Sequence, residues 1–389
     1  MGVAVEESVA EPDWMAIAIV VLGVTSFAVA QGLTYPLISL VLENRSVPAG
    51  MIGLNAAGLA VGLAAGTLMI SRLTALLRGD HLIVAGLLGS AASLACFAIS
   101  DHLLVWFVAR FALGFCVGIV FAMSEAWLNT ACPDRLRGRV SGIYAAGMGI
   151  GFASGPLVIP FFGAENGFAF AFMAVNDALI AFVTVLLLRK TRTWPERVPP
   201  GAILRFITVA PVLVVIVTLF GFADIVAIST MPVYFVRTGH SEAFAALSVS
   251  IMSFPTALAQ PFIGILLDKW PRKLVVILCG AVAGLTFLSI PALASGTAIL
   301  LALACLGAAA FALYTCALTL LGEQYRGGML AAGSAVFSLA YAIGSASGSI
   351  SSGFLMQRIA PAAVPVGTGL LIVLVVAGLV LGWRSARPV

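Results

Sequence analysis

The chain has 389 residues, of which 61% are hydrophobic and only 9% charged, with a net charge of +4. So few charges cannot cover a soluble globule, so composition excludes an ordinary water-soluble domain and marks a protein whose main solvent is lipid. The small positive excess does not indicate nucleic acid, because the basic residues sit in short loops between apolar stretches, where membrane topology accounts for them.

Residues 1–14 form an acidic leader (Glu6, Glu7, Glu11, Asp13) with neither the basic n-region nor the cleavage site of a secretory signal, so the first apolar stretch is read as retained. Twelve stretches long enough to cross a bilayer follow, near 15–41, 48–71, 81–99, 103–130, 139–163, 167–188, 207–235, 243–267, 274–292, 298–321, 329–356 and 362–383. The longest polar segment, from Arg189 to Gly201 with Pro195, Pro199 and Pro200, divides six spans from six. The expected organisation is a leader (1–14), a six-helix bundle (15–188), a linker (189–206), a second bundle (207–384) and a short tail (385–389). The fold class is therefore an all-α membrane protein of twelve transmembrane helices in two pseudo-symmetric six-helix bundles.

Charge placement tests that partition. With alternating loops and a cytoplasmic N-terminus, sixteen of the 20 Lys and Arg fall inside, Arg45, Arg237 and Arg358 fall outside, and Arg110 alone lies within a span. One missed span would invert every later loop, so the bias predicts an even number of crossings with both termini in the cytoplasm.

Span 1 carries Gln31 and Tyr35, which are i, i+4 and share a face. Span 2 adds Asn55, span 5 Tyr144, span 8 Gln260 and span 10 Tyr314; with Trp127 these are candidate cavity residues, each also open to ordinary interhelical hydrogen bonding. Ionisable groups within the hydrocarbon are costly unless paired or wet. Four occur: Arg110 and Glu125 on span 4, Asp177 beside Asn176 on span 6, and Asp224 beside Gly221 on span 7. Arg110 and Glu125 are about 22 Å apart along the helix and cannot pair. Glu125 suits either a transport role or a clasp on the basic turn Arg135, Arg137 and Arg139. Asp177 ranks below the others because its span has no small-residue stripe and is expected near the bundle's outside. Stripes of small residues at every fourth position (Gly58, Gly62, Gly66; Gly147, Gly151, Gly155 then Pro156; Gly344, Gly348, Ser352) predict close helix contacts, and their places in both halves point to sliding surfaces between the halves.

Other chemistries are disfavoured. There is no Walker loop, and Gly149-Ile-Gly151-Phe-Ala-Ser-Gly155 lies in an apolar stretch with no preceding strand, which argues against a dinucleotide loop. The six cysteines form no CxxC pair, the three histidines fall at span ends or loops, and the 11 methionines form no MxxM pair within a span. No cofactor, metal or nucleic-acid partner is expected, nor a nucleophile–base site, so an enzyme is not expected.

Gly264-Ile-Leu-Leu-Asp268-Lys269-Trp-Pro-Arg272-Lys273 resembles the Gly-x-x-x-Asp-(basic)-x-x-(basic)-(basic) cytoplasmic loop of the major facilitator superfamily, and the resemblance extends over essentially the whole chain. It implies a cytoplasmic gate of Asp268, Lys269, Arg272, Lys273, Arg72, Arg137 and Arg139, although Gly66 to Arg72 lacks the acidic residue of the matching loop. Arg110-Phe-Ala-Leu-Gly114 resembles the family's span-4 Arg-x-x-x-Gly pattern, which implies proton coupling. Gly151-Phe-Ala-Ser-Gly155-Pro156 resembles the span-5 motif of antiporters. Ser124-Glu125-Ala126-Trp127-Leu128-Asn129 resembles a YcaD-like branch of bacterial inner-membrane transporters. The expectation is a proton-coupled secondary transporter of a small organic molecule, monomeric in the lipid bilayer, exporting by antiport. The alternatives are proton-coupled uptake of an organic anion or metabolite, with Arg110 binding its carboxylate, and, from another class, a non-transporting membrane sensor or scaffold.

Overall fold

The computed structural model describes residues 11–163, 167–195, 210–325 and 328–385. These form helical rods in chain order: α1 (Trp14–Asn44), α2 (Ala49–Leu76), α3 (Gly79–Ile99), α4 (Leu103–Ala131), α5 (Asp134–Ser154, prolonged through a 3-10 turn Gly155–Val158 and Ile159–Phe162) and α6 (Phe168–Leu188). The second set is α7 (Pro211–Ile225, a π turn Val226–Thr230, then Met231–Arg237), α8 (Glu242–Lys269), α9 (Arg272–Ser289), α10 (Gly296–Gln324), α11 (Gly328–Arg358) and α12 (Ala363–Ser385). Among the described residues, ten of the rods are long and apolar enough to cross a membrane. The other two, α8 and α11, are 28 and 31 residues long, and each includes side chains outside those described.

The helices form because lipid offers no partner for a bare backbone amide, so each crossing must close its own ladder. Side-chain caps start three of them: Asp13 accepts from the Ala16 N–H, Ser241 from Phe244 and Ser295 from Ala298.

Packing repeats between the halves. In the first, α1 lies on α5, α2 on α4, and α3 on both α4 and α6. In the second, α7 lies on α11, α8 on α10, and α9 on both α10 and α12. The seam between them is made by α2 on α11, α5 on α8, and the end of α1 on the end of α7.

The glycine stripes do not lie where sliding surfaces between halves would need them. A Cβ at Gly62 or Gly66 would strike α4 at Phe111 or Phe115, one at Gly151 or Gly155 would strike α1 at Thr25 or Val29, and one at Gly344 would strike Thr218 of α7. All three stripes weld helices inside a half, and Gly151, Gly155 and Pro156 belong to the α1–α5 weld. The close approach across the seam uses other glycines: Gly53 faces the Ser349 carbonyl, and Gly353 faces Ala49 and Gly53.

Among the described residues, the polar contacts across that seam gather at the end of the bundle far from the termini. There Arg237 forks onto Glu43 through Nε and Nη2 at 2.7 and 2.8 Å, Asn44 donates to Glu242 at 2.6 Å, and the Gly50 N–H donates to Gln357 at 2.9 Å. One layer deeper the Ser39 and Ser229 hydroxyls meet at 2.9 Å. Two of the three expected outer arginines are thus neutralised, Arg237 by Glu43 and Arg45 by Asp101.

Candidate functional site

A polar cluster sits where α1, α4, α7 and α11 converge. Arg110 projects from α4 and is fully buried. Its Nη1 donates to the Thr34 carbonyl at 3.3 Å, and its guanidinium lies 5.3 Å from the centre of the Tyr35 ring. Neither Nε nor Nη2 has a protein partner. Gly58 of α2 lies over the arginine stem, where a Cβ would sit in ordinary contact at 3.8 Å.

Tyr35 carries the cluster across the seam. It stacks at 5.7 Å on Phe152 and lies within electrostatic reach of Asp224 and Tyr341 in the other half. The Tyr341 hydroxyl donates to Asp224 Oδ2 at 2.8 Å. Asp224 precedes the π turn Val226–Thr230, in which each amide reaches one residue further back. Pro232, at the start of the following α segment, has no N–H to give to the ladder, and the widened turn absorbs that loss. Arg110, Tyr35 and Asp224 therefore converge on the interior.

Gln31 and Asn55 are both almost wholly buried, and neither polar atom of either amide has a protein partner. Gln31 is one turn from Tyr35 on α1, and Asn55 is three residues from Gly58 on α2, so both lie beside Arg110 in register. Buried polar groups normally have partners. Two such amides beside an under-partnered cation leave a set of buried polar groups without protein partners.

Glu125 is exposed, yet it lies within electrostatic reach of Tyr144 of one half and Tyr314 of the other. It therefore borders the gap between the halves on the side of the termini. The side chains of Arg135, Arg137 and Arg139, its expected partners in a clasp, lie outside the described residues. Tyr144 is buried with its hydroxyl unpartnered, and Tyr314 packs among Phe220, Phe311 and Phe337.

Two sequence expectations need correction. Trp127 is not a cavity residue: it is fully buried, and its indole Nε1 donates to the Thr193 carbonyl at 2.9 Å. It reaches the start of the linker because that segment folds back over the end of α4. Asp177 is not near the outside of the bundle but fully buried between α3 and α6, accepting from Ser90 Oγ at 2.6 Å, with Asn176 bridging to Ser26. It lies apart from the central cluster.

In the predicted gate, Arg272 pairs with Glu323 of its own half at 2.7 Å, while Arg72, Lys269 and Lys273 are exposed. The side chains of Gln260, Asp268, Arg137 and Arg139 lie outside the described residues.

The same basic end holds a knot. Asp13 Oδ2 accepts from the Arg192 N–H at 2.6 Å, the Thr193 N–H at 2.9 Å and Thr193 Oγ1 at 3.1 Å, and its own N–H donates to the Ala131 carbonyl at 3.0 Å. Burial alone would raise the Asp13 pKa, but these donors and the Ala16 N–H outweigh it and hold the carboxyl below its usual value. Sequence reasoning missed this role and that of Tyr341; the only visible signal for Asp13 was a capping residue directly before an apolar run.

The Major Facilitator Superfamily profile matches residues 20–247 and 213–389. The chain is 25% identical over 357 residues to the uncharacterised MFS-type transporter YfkF of Bacillus subtilis (strain 168), covering 87% of this chain and 88% of that one. Among solved structures it resembles a D-xylose-proton symporter (TM-score 0.76, 16% identity, covering 94% of this chain and 97% of that one). It also resembles the nucleoside transporter NupG (0.74, 13%, 95% and 98%). A bacterial homologue of the human lysosomal transporter Spinster, in an inward-facing and unoccupied conformation, matches at 0.73 (14%, 94% and 94%).

Proposed function

The chain belongs to the Major Facilitator Superfamily, a family of transporters rather than enzymes, and on that premise we propose that it is a proton-coupled secondary transporter that exports a small polar organic molecule by antiport. The observation that carries this reading is the cluster joining Arg110, Tyr35, Tyr341 and Asp224 across the seam. It sets an under-partnered cation in one half near a carboxylate held by a single phenol in the other. Protonation of the Asp224 carboxylate would release Tyr341 and change the pull on the opposite half, so proton binding and rocking are coupled through one set of contacts. The resemblance of Gly151 to Pro156 to the antiporter motif, and of Ser124 to Asn129 to the YcaD-like branch, supports export across an inner membrane.

With both termini in the cytoplasm, the sealed end faces outward and the gap bordered by Glu125 faces inward. The fold likeness to the inward-facing Spinster homologue agrees with that assignment. Residues 15–188 and 207–384 are then the two rocking bodies and 189–206 their connection.

A second reading, uptake of an organic anion, is favoured by the two free guanidinium nitrogens of Arg110, which match a carboxylate. One experiment separates the two. A ligand found by thermal-shift screening is loaded into proteoliposomes, and its flux and the proton flux are followed after a pH jump. Antiport moves the two in opposite directions and symport in the same direction. Flux indifferent to the pH gradient, or full proton-driven flux in Arg110→Gln, would overturn the coupling.

A further inference from the structure

A groove of about 560 Å³ opens sideways between the start of α3 and the end of α6, at the level where the helices leave the apolar layer. We propose that it binds an anionic phospholipid, with the headgroup phosphate at Arg78 and Arg189 and the acyl chains running down the outer faces of α3 and α6.

The mouth of the groove carries Arg78, His81 and Arg189. Arg189 and His81 are exposed, and neither side chain has a hydrogen bond or ion pair among the described residues. The one carboxylate present does not cancel the site. Asp80 is turned inward, its side chain only 4% exposed, and its oxygens are taken by Arg78 Nε and Nη2 at 3.2 and 2.9 Å and by the His81 N–H at 3.1 Å. This pins one edge of the Arg78 guanidinium, and Trp194, 5.1 Å from it, covers one face. Arg78 is thus held in place with Nη1 left to donate, and its side chain remains 58% exposed.

Below the mouth the lining turns apolar, through Val84, Leu88 and Val185. Leu88 lies nine residues beyond Gly79, about 13 Å deeper along the helix axis. Leu88 and Val185 are half exposed, as side chains facing lipid tails would be. A free anion would use only the mouth, whereas the continuous basic-to-apolar lining matches a molecule with both a phosphate and hydrocarbon. Basic pockets between helices at the membrane surface, with an aromatic side chain at headgroup level, are how lipid headgroups are held.

The test is native mass spectrometry of the full chain released from nanodiscs containing phosphatidylglycerol and phosphatidylcholine in equal amounts. Preferential retention of phosphatidylglycerol is expected. Each basic residue removed should lower it about fivefold, so Arg189→Gln loses part of the preference and the Arg78→Gln/Arg189→Gln pair loses about 25-fold. Arg189→Gln removes no contact within the described residues, which guards against a folding artefact. Arg358→Gln, at the far end, should change nothing. Equal retention of the two lipids, an unchanged preference in the pair variant, or an equal loss in Arg358→Gln would overturn the proposal. So would displacement of the lipid by millimolar inorganic phosphate, which would mark the mouth as a site for a free anion.

Discussion

Arg110 shows why a costly group survives at one position. A cation at the bilayer centre costs about 2.5–3.5 kcal/mol on insertion scales, and here it is left with one carbonyl and one ring face. Arg110→Gln should therefore hold its thermal stability or gain up to about 2 kcal/mol, while proton-driven transport falls at least about tenfold. A loss of folded protein in that variant would instead make the arginine a structural pin. Tyr341→Phe removes a buried hydrogen bond worth about 1 kcal/mol and should impair transport while leaving the bundle folded, which flux and melting curves would check together. The sequence displays Arg110 and Asp224 because isolated charges in hydrocarbon are conspicuous. It hides Tyr341, whose partner is 117 residues away and is met only once α7 and α11 pair. At the start of α1, Asp13 makes the opposite kind of prediction. Its pKa is depressed on folding, so its contribution is present above the unfolded value and is lost as the pH falls through the lower folded one. Proteolysis of the chain near Thr193 should accelerate in acid, and Asp13→Asn should be cleaved faster at neutral pH, with less further change on acidification.

At the scale of helices, small residues were legible as contact stripes, but their partners were not. A four-residue repeat says that a backbone will come close and is silent on which one, since the three stripes and the seam glycines look alike in sequence. The seam is distinguished only by what lies opposite. At Gly53 a side chain would meet the backbone of α11 at Ser349, so Gly53→Val should prise the far end apart and favour the state open there. Increased alkylation of a cysteine placed at Ser229 would report it. The ion pair at the same end allows a finer test. Glu43 and Arg237 are only partly exposed (15% and 27%), so their coupling should exceed the few tenths of a kcal/mol of a fully solvated pair and approach about 1 kcal/mol. Arg237→Glu should weaken closure, and adding Glu43→Arg should restore it; independent effects in a double-mutant cycle would remove the pair from the latch.

For the whole molecule, the run of apolar stretches made the all-helical fold legible, and α1–α6 and α7–α12 repeat one packing. The conformational state could not be read from sequence, because one chain must encode every state it visits. Spin labels near Glu43 and Arg237 should give short, narrow distances without ligand, and labels near Arg72 and Lys269 long, broad ones; a ligand that drives rocking should reverse the pattern. The knot at Asp13 limits how that exchange proceeds. Because Trp127 and Asp13 clamp Thr193, and Pro195 lies against Gly79, residues 189–195 are held against the first bundle. The clamped residues 189–195 withhold about 23 Å of extended reach. The leash between the moving bodies is shorter than its residue count, and loosening it at Asp13 would lengthen the swing available to them without touching either bundle.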